Sequence, residues 1–336
     1  MLAEALEAPQ AVARLLAADG ETYDELTAGL HAAPPSAILT VARGSSDHAA
    51  HYMAYLVMAR LGRLVTSLPM SLVTLYGSHL VCDGLAAFGF SQSGQSPDLV
   101  ATMKLAREGG ARTVAIVNDA ASPLAASAQW VLPLHAGTER SVAATKSYIA
   151  QLVAGARLVA LWERQATLLR AIQALPEALA AASALDWSPA LETLVQADRL
   201  YVIGRGTGLA VAMEAALKLK EVCGIQAEAF SGAELRHGPM ALVDSGYPLL
   251  VLAPRGPAQA GLLLLADEMR QRGARVLLAA PAGTPGAQLP LQPTGHEDLD
   301  PISVVQSFYP MVEALARARG SDPDHPRFLS KVTRTN

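Results

Sequence analysis

Short continuous apolar runs alternate along this chain with longer stretches whose apolar positions recur at near-helical spacing. Residues 37–42, 85–90, 113–117 and 130–134 read as buried strands, and 48–61, 97–108 and 141–164 as helices. Strand–helix alternation of this kind gives a parallel sheet with helices on both faces. Such doubly wound sheets take their ligands at the carboxyl ends of the strands. A leading helix is expected over 9–18, with Pro9 in its first turn and Asp19-Gly20 closing it. The Ala/Leu-rich stretch 165–190 reads as a helical connector. Residues 281–294, rich in Pro and Gly, read as a loop, and the tail from Asp322 holds Pro323 and Pro326.

The pattern occurs twice. ILTVARGS (38–45) is echoed by LYVIGRGT (200–207), so that Arg43 pairs with Arg205 and Gly44 with Gly206. The same separation pairs Gly62 with Gly224 and Gly94 with Gly256, and Gly110-Ala111-Arg112 matches Gly273-Ala274-Arg275 after one insertion. Two copies mean a duplicated domain and not a solenoid. The expected organisation is a helical lead (1–36), a first α/β domain (37–165), the connector (166–190), a second α/β domain (191–320) and a tail (321–336) over the active site. The fold class is two tandem doubly wound parallel sheets, three-layer α-β-α and flavodoxin-like.

Composition narrows the picture. The 336 residues are 51% hydrophobic and 17% charged, which excludes a disordered or fibrous chain. A formal charge of −4 offers no basic surplus for nucleic acid or an anionic membrane. The apolar runs are too short to span a bilayer. Glu4 and Glu7 precede the first Arg, unlike a secretory signal. The expectation is a cytoplasmic protein. Cys82 and Cys223 have no metal-type spacing and suggest no disulfide framework. Arg outnumbers Lys so heavily that, of the five lysines, Lys146, Lys218, Lys220 and Lys331 become candidates for work needing a primary amine, while Lys104, on a helix between two loops, reads as an ordinary lysine.

The densest chemistry lies in Ser91-Gln92-Ser93-Gly94-Gln95-Ser96, between a strand and a helix starting at Pro97. Unpaired N–H groups at a helix start, with hydroxyls and amides around them, suit a phosphate. No Lys stands in the loop, so it is not a Walker motif, and a small phosphorylated metabolite fits better than a nucleoside triphosphate. The alternative is a Ser-rich turn in which Ser93 or Ser96 caps the helix. The second copy has Ala253-Pro254-Arg255-Gly256 here and has lost the hydroxyls.

In the second half, Lys218 and Glu221 share one helix face, and partial burial would let the carboxylate act as a base near neutrality. AEAFSGAELRHGP (227–239) gathers Glu228, Glu234, Arg236 and His237 in one segment, and His237, before Gly-Pro, is expected on a loop, where function concentrates. Residues 140–146 are expected to open a helix whose N–H groups complete an anion site, or which Ser141 caps. Lys331 lies in a tail that is expected either to fray or to fold back over a cleft.

These motifs together resemble the sugar isomerase (SIS) domain family, and the isomerase half of glutamine–fructose-6-phosphate aminotransferase in particular. ARGSSDHAA (42–50), SQSGQSPD (91–98), RSVAATKS (140–147), MEAALKLKEV (213–222), AEAFSGAELRHGP and PRFLSKVT (326–333) carry the resemblance across 37–333. It implies that Ser46, Ser91, Gln92, Ser93 and Ser96 bind a sugar phosphate. It implies that Val142, Ala143 and Ala144 line the sugar, although the family often has a hydroxyl where Ala144 stands, and that Ser330 adjoins it. Glu221 then shuttles a proton between C1 and C2, with Lys218 beside it. His237 assists ring opening from the partner subunit of a homodimer, and Lys331 can form a Schiff base with an open-chain ketose.

The aminotransferase carries a glutaminase domain, which is not expected here, since the matching unit starts near residue 37. The resemblance therefore implies a SIS-type glucosamine-6-phosphate deaminase, whose chemistry requires neither a metal nor a redox cofactor. Alternatives are an aldose–ketose isomerase, a galactosamine-6-phosphate deaminase or fructosamine-phosphate deglycase, and, in another class, a non-catalytic sugar-phosphate sensor.

Overall fold

The structure, a computed structural model, describes residues 1–331; Val332 and Thr333, the end of the PRFLSKVT motif, lie outside the described residues. The first half of the chain runs α1 (Leu2–Ala17), α2 (Gly20–Ala32), β1 (Ala37–Val41), α3 (Ser45–Leu61), β2 (Val65–Ser67), α4 (Ser71–Thr74), β3 (Leu85–Ser91), α5 (Pro97–Glu108), β4 (Arg112–Val117), α6 (Pro123–Ser127), β5 (Trp130–Pro133) and α7 (Lys146–Glu163). Three short helices follow, α8 (Ala166–Gln173), α9 (Leu175–Ser183) and α10 (Ser188–Leu194). The second half is β6 (Arg199–Gly204), α11 (Gly208–Cys223), β7 (Gln226–Ser231), β8 (Pro248–Leu252), α12 (Gln259–Gln271), β9 (Arg275–Pro281), β10 (Leu289–Leu291) and α13 (Asp300–Ala318).

Each half forms a parallel five-stranded sheet. The orders, β2-β1-β3-β4-β5 and β10-β9-β8-β6-β7, are one order read twice, as the duplicated sequence requires. Strands buried on both faces must be nearly all apolar, and β3 (LAAFGFS) and β8 (PLLVL) are. Leu39, Val41, Leu99, Met103 and Val117 pack one core. Ile203, Val251, Leu262, Met269 and Leu278 pack another. Among the described residues no helix is long and apolar enough to cross a membrane.

The chain forms two compact units that interleave in sequence. One comprises Met1–Pro9, Arg140–Thr145 and Ala174–Leu329; the other comprises Gln10–Glu139, Lys146–Gln173 and, at the end of the described residues, 330–331.

Three local expectations need correction. The leading helix begins at Leu2, so Pro9 is inside it and not in its first turn. Pro9 has no N–H for the carbonyl of Ala5, and Gln306 Nε2 satisfies that carbonyl at 2.8 Å, which lets the helix run through the proline. The stretch 281–294 is not all loop, because β10 adds an edge strand beside β9. Finally, α7 starts at Lys146, five residues after Ser141.

Candidate functional site

In the first sheet the strand order reverses between β1 and β3, the place where doubly wound sheets leave a crevice. Val41 of β1 is in register with Gly89 of β3, so the segments leaving both strands start from one edge. Ser46 is in the first turn of α3, after β1, and its Oγ accepts a 3.0 Å bond from Gln151 Nε2 of α7.

The serine-rich loop leaves β3. The buried Ser91 Oγ accepts the Gly94 N–H at 2.9 Å, and Ser93 Oγ accepts the Gln95 N–H at 3.3 Å. A hydroxyl that accepts still has its own proton to donate. Gly94 has φ +64°, and a Cβ there would lie 2.1 Å from Ser122 Oγ, so only glycine fits. Ser96 is the residue before α5, but its side chain makes no capping bond. The reading of this loop as an ordinary capped turn therefore fails at Ser96.

The loop is fixed by neighbours to which the sequence assigns no such role. Arg43, after β1, donates through Nε to Oδ2 of the buried Asp98, in the first turn of α5, at 2.7 Å. A cavity of about 580 Å³ adjoins the loop, lined by Gln92, Asn118, His135 and Glu139 among others. Asn118 braces its far wall, donating to the Gly137 carbonyl and accepting the Ala136 N–H, both at 2.9 Å.

Residues 140–145 are a bent loop and not the start of a helix. The N–H groups of Arg140 and Ser141 both donate to Glu4 Oε1, the latter at 3.1 Å. A carboxylate of the chain itself thus takes the bonds assigned to a ligand anion. Burial pushes the Glu4 carboxyl up, but the Ser141 hydroxyl and these N–H groups outweigh it and hold the pKa below its ordinary value. The same loop carries Val142, whose N–H donates to the Asp324 carbonyl at 3.2 Å, the buried Ala143 and the half-buried Ala144. Ser330 is exposed. Lys331 does not fray: its Nζ donates to Glu139 Oε2 at 3.2 Å.

In the second repeat, β6 ends at Gly204, where a Cβ would lie 2.5 Å from the Gly208 carbonyl; glycine lets α11 start close against the strand. Alanine-rich α11 then packs on β6, β7 and α13. Lys218 is fully buried on this helix, 2.5 Å from Glu221 Oε2 and 3.4 Å from Oε1 of the fully buried Glu214. Tyr309 of α13 donates to Glu214 Oε1 at 3.2 Å. Burial lowers the Lys218 pKa, but the two carboxylates together outweigh it and raise it. The Glu221 side chain keeps 22% exposure and is the reachable end of the array. Glu214 was missed; its only sequence signal was its place one turn before Lys218.

His237 is exposed between two short 3₁₀ turns. It lines a cavity of about 420 Å³ with Leu209, Met213, Phe230, Ser231 and Glu234. Met213 is eight residues before Glu221 on α11, about 12 Å along the helix. The cavity holding His237 thus lies at the opposite end of α11 from Glu221. The loop equivalent to the serine-rich one follows β8, where Arg255 is paired to Asp300 through Nε at 2.7 Å and Nη2 at 2.9 Å.

The family model of the SIS domain matches residues 33–161 and 193–284. A glutamine–fructose-6-phosphate aminotransferase of Symbiobacterium thermophilum is 35% identical over 98% of this chain, which spans 58% of that relative's length. A solved Silicibacter pomeroyi protein, described as a candidate phosphosugar isomerase, is 43% identical at a TM-score of 0.91, covering 96% of this chain and 99% of that one. The C-terminal domain of glucosamine-fructose-6-phosphate aminotransferase from Francisella tularensis is 25% identical at a TM-score of 0.86, with 96% of each chain covered. With the family model matched over more than half of its residues, and with two copies of one parallel sheet carrying the repeat motifs on equivalent loops, this chain belongs to the SIS domain family.

Proposed function

We propose that this chain converts glucosamine 6-phosphate and water to fructose 6-phosphate and ammonia. The observation that carries the reading is the array of Glu214, Lys218 and Glu221, in which a buried cation holds one partly exposed carboxylate in place. A proton shuttle needs that geometry, and a sugar-phosphate sensor does not. The phosphate is received by Ser46 and by Ser91, Gln92, Ser93 and Ser96, with the Ser96 hydroxyl not spent on its own helix. Val142, Ala143, Ala144 and Ser330 bound the sugar.

His237 helps open the pyranose. Glu221 takes the C2 proton, acidified by the C1 aldehyde, and returns it to C1. The product is a C2 imine, which water hydrolyses to the ketone and ammonia. Lys331 meets the open-chain ketose at C2. The distance of the His237 cavity from Glu221 along α11 supports a homodimer in which the partner subunit supplies the imidazole.

Aldose–ketose isomerisation is the second reading, favoured by the same carboxylate and by the likeness to the Silicibacter protein. Incubation of the 336-residue protein with glucosamine 6-phosphate, without glutamine, tests the proposal by release of ammonia and fructose 6-phosphate. Turnover of fructose 6-phosphate to glucose 6-phosphate without ammonia would establish the isomerase instead. Binding without any turnover would establish a sensor.

A further inference from the structure

We propose that Glu139 is the positioning residue that aims Lys331 at a ketose phosphate; the role rests on the reading of Lys331 given above. The Glu139 side chain is fully buried, and each of its oxygens is engaged. Oε1 accepts the Ser147 N–H at 3.0 Å. Oε2 accepts the Ser147 hydroxyl at 2.6 Å and Lys331 Nζ at 3.2 Å. Ser147, the second residue of α7, is itself buried, so both of its donors are rigid.

A carboxylate pinned by the amide and hydroxyl of one helical residue cannot rotate. The direction from which it receives Lys331 is therefore fixed. The need for such an anchor follows from where Lys331 is. It stands in a proline-containing tail outside any helix or strand, and a lysine side chain has four rotatable bonds to order. Glu139 also lines the cavity that Gln92 of the serine-rich loop lines. Lys331 is thus held by a residue that adjoins the same cavity as Gln92 of the serine-rich loop.

In the reaction, Lys331 reaches the C2 carbonyl as its neutral amine. A C–N bond forms, both amine hydrogens leave with the carbonyl oxygen as water, and an imine remains. Borohydride adds hydride to that imine and traps it as a stable secondary amine on Lys331. The wild-type protein, Glu139→Gln and Ser147→Ala are treated with fructose 6-phosphate and borohydride, with Lys331→Ala as control. The adduct on the Lys331 peptide is quantified by mass spectrometry. In parallel, acetic anhydride measures the reactivity of Lys331 without sugar.

In Glu139→Gln the sugar adduct is expected to fall at least about tenfold, because a misaimed nucleophile loses its near-attack geometry. Acetylation of Lys331 is expected to rise about threefold as its charge-assisted bond is lost. A purely structural pair would not move the two readouts in opposite directions. Ser147→Ala should shift both the same way by smaller factors, and it decides the question if Glu139→Gln does not fold. An adduct within twofold of wild type, or unchanged acetylation, overturns the role of Glu139. A wild-type protein that gives no adduct overturns the reading of Lys331 itself, whatever the acetylation shows.

Discussion

Lys218 and Glu221 meet at 2.5 Å across one turn of α11, and only Glu221 reaches solvent. The lysine is inside, and the fully buried Glu214 balances it from the other side. The pair thus differs from an exposed i,i+3 ion pair, which contributes little. It is a fixed mount for one carboxylate.

Glu221→Gln should lower turnover of glucosamine 6-phosphate by about 10²–10⁴-fold, the range for a positioned acid–base group. Binding of the substrate, measured by calorimetry, should stay within a few-fold of wild type. Retained turnover would remove Glu221 as the shuttle.

Glu221→Gln and His237→Ala, each inactive alone, should complement on mixing after subunit exchange. Each mixed dimer then has one site with both groups, and statistical mixing returns about a quarter of wild-type activity. No recovery, with exchange verified by mass, would place both groups in one chain's site.

Lys218→Met removes the ammonium between two carboxylates and leaves Glu214 buried without it. A loss of about 3–5 kcal/mol in urea unfolding is expected. Burial lowers the Lys218 pKa, but Glu214 and Glu221 overcome it, so the folded value is above the ordinary 10.5. A raised basic group stabilises fully below its unfolded pKa and loses that contribution as pH rises through the folded one. The gap between wild type and variant should therefore be constant from neutrality to about pH 10 and narrow at higher pH. A gap that closes between pH 5 and 8 would contradict this.

Gly94→Ala forces a side chain into a left-handed backbone and against Ser122. It should cost at least about 1–2 kcal/mol of stability and weaken sugar-phosphate binding. Differential scanning calorimetry and titration with fructose 6-phosphate check the two effects. An unchanged affinity would separate the loop from phosphate recognition.

Burial pushes the Cys223 thiol up to about 12, with Arg319 opposing it only in part. The thiolate is the reactive form, so Cys223 should resist iodoacetamide at pH 8 in the folded protein and react at once in urea. Fast native labelling would show that its helix opens readily.

Much of this molecule was readable in one dimension. The apolar runs gave β1, β3, β4 and β5, because a strand covered on both faces has little place for polar residues, as in β3, whereas the short edge strands β2 and β10 carry no such run. The Arg43/Arg205 echo gave the duplication, which the matching strand orders bear out. The serine-rich stretch was visible because its hydroxyls crowd a strand-to-helix turn.

Residues that act through distant partners were not visible. Nothing local marks Glu139 as the partner of Lys331, 192 positions away, or Asn118 as the brace of 136–137. The start of α7 departs from the local pattern for a related reason. Ser141 looks like a cap, but its N–H goes to Glu4, 137 positions earlier, and that bond draws 140–145 out of the helix. Pro9 was placed at a helix start because only a side chain from α13 makes it tolerable inside one.

Sequence alone thus determined the layered α/β class, the repeat and the chemical types at the loops, since these follow from periodicity and residue identity. Tertiary structure decided which charges are buried, which hydroxyls are left free and which carboxylate holds which amine. Those outcomes depend on desolvation and on donors brought together from far along the chain, and no local pattern encodes either.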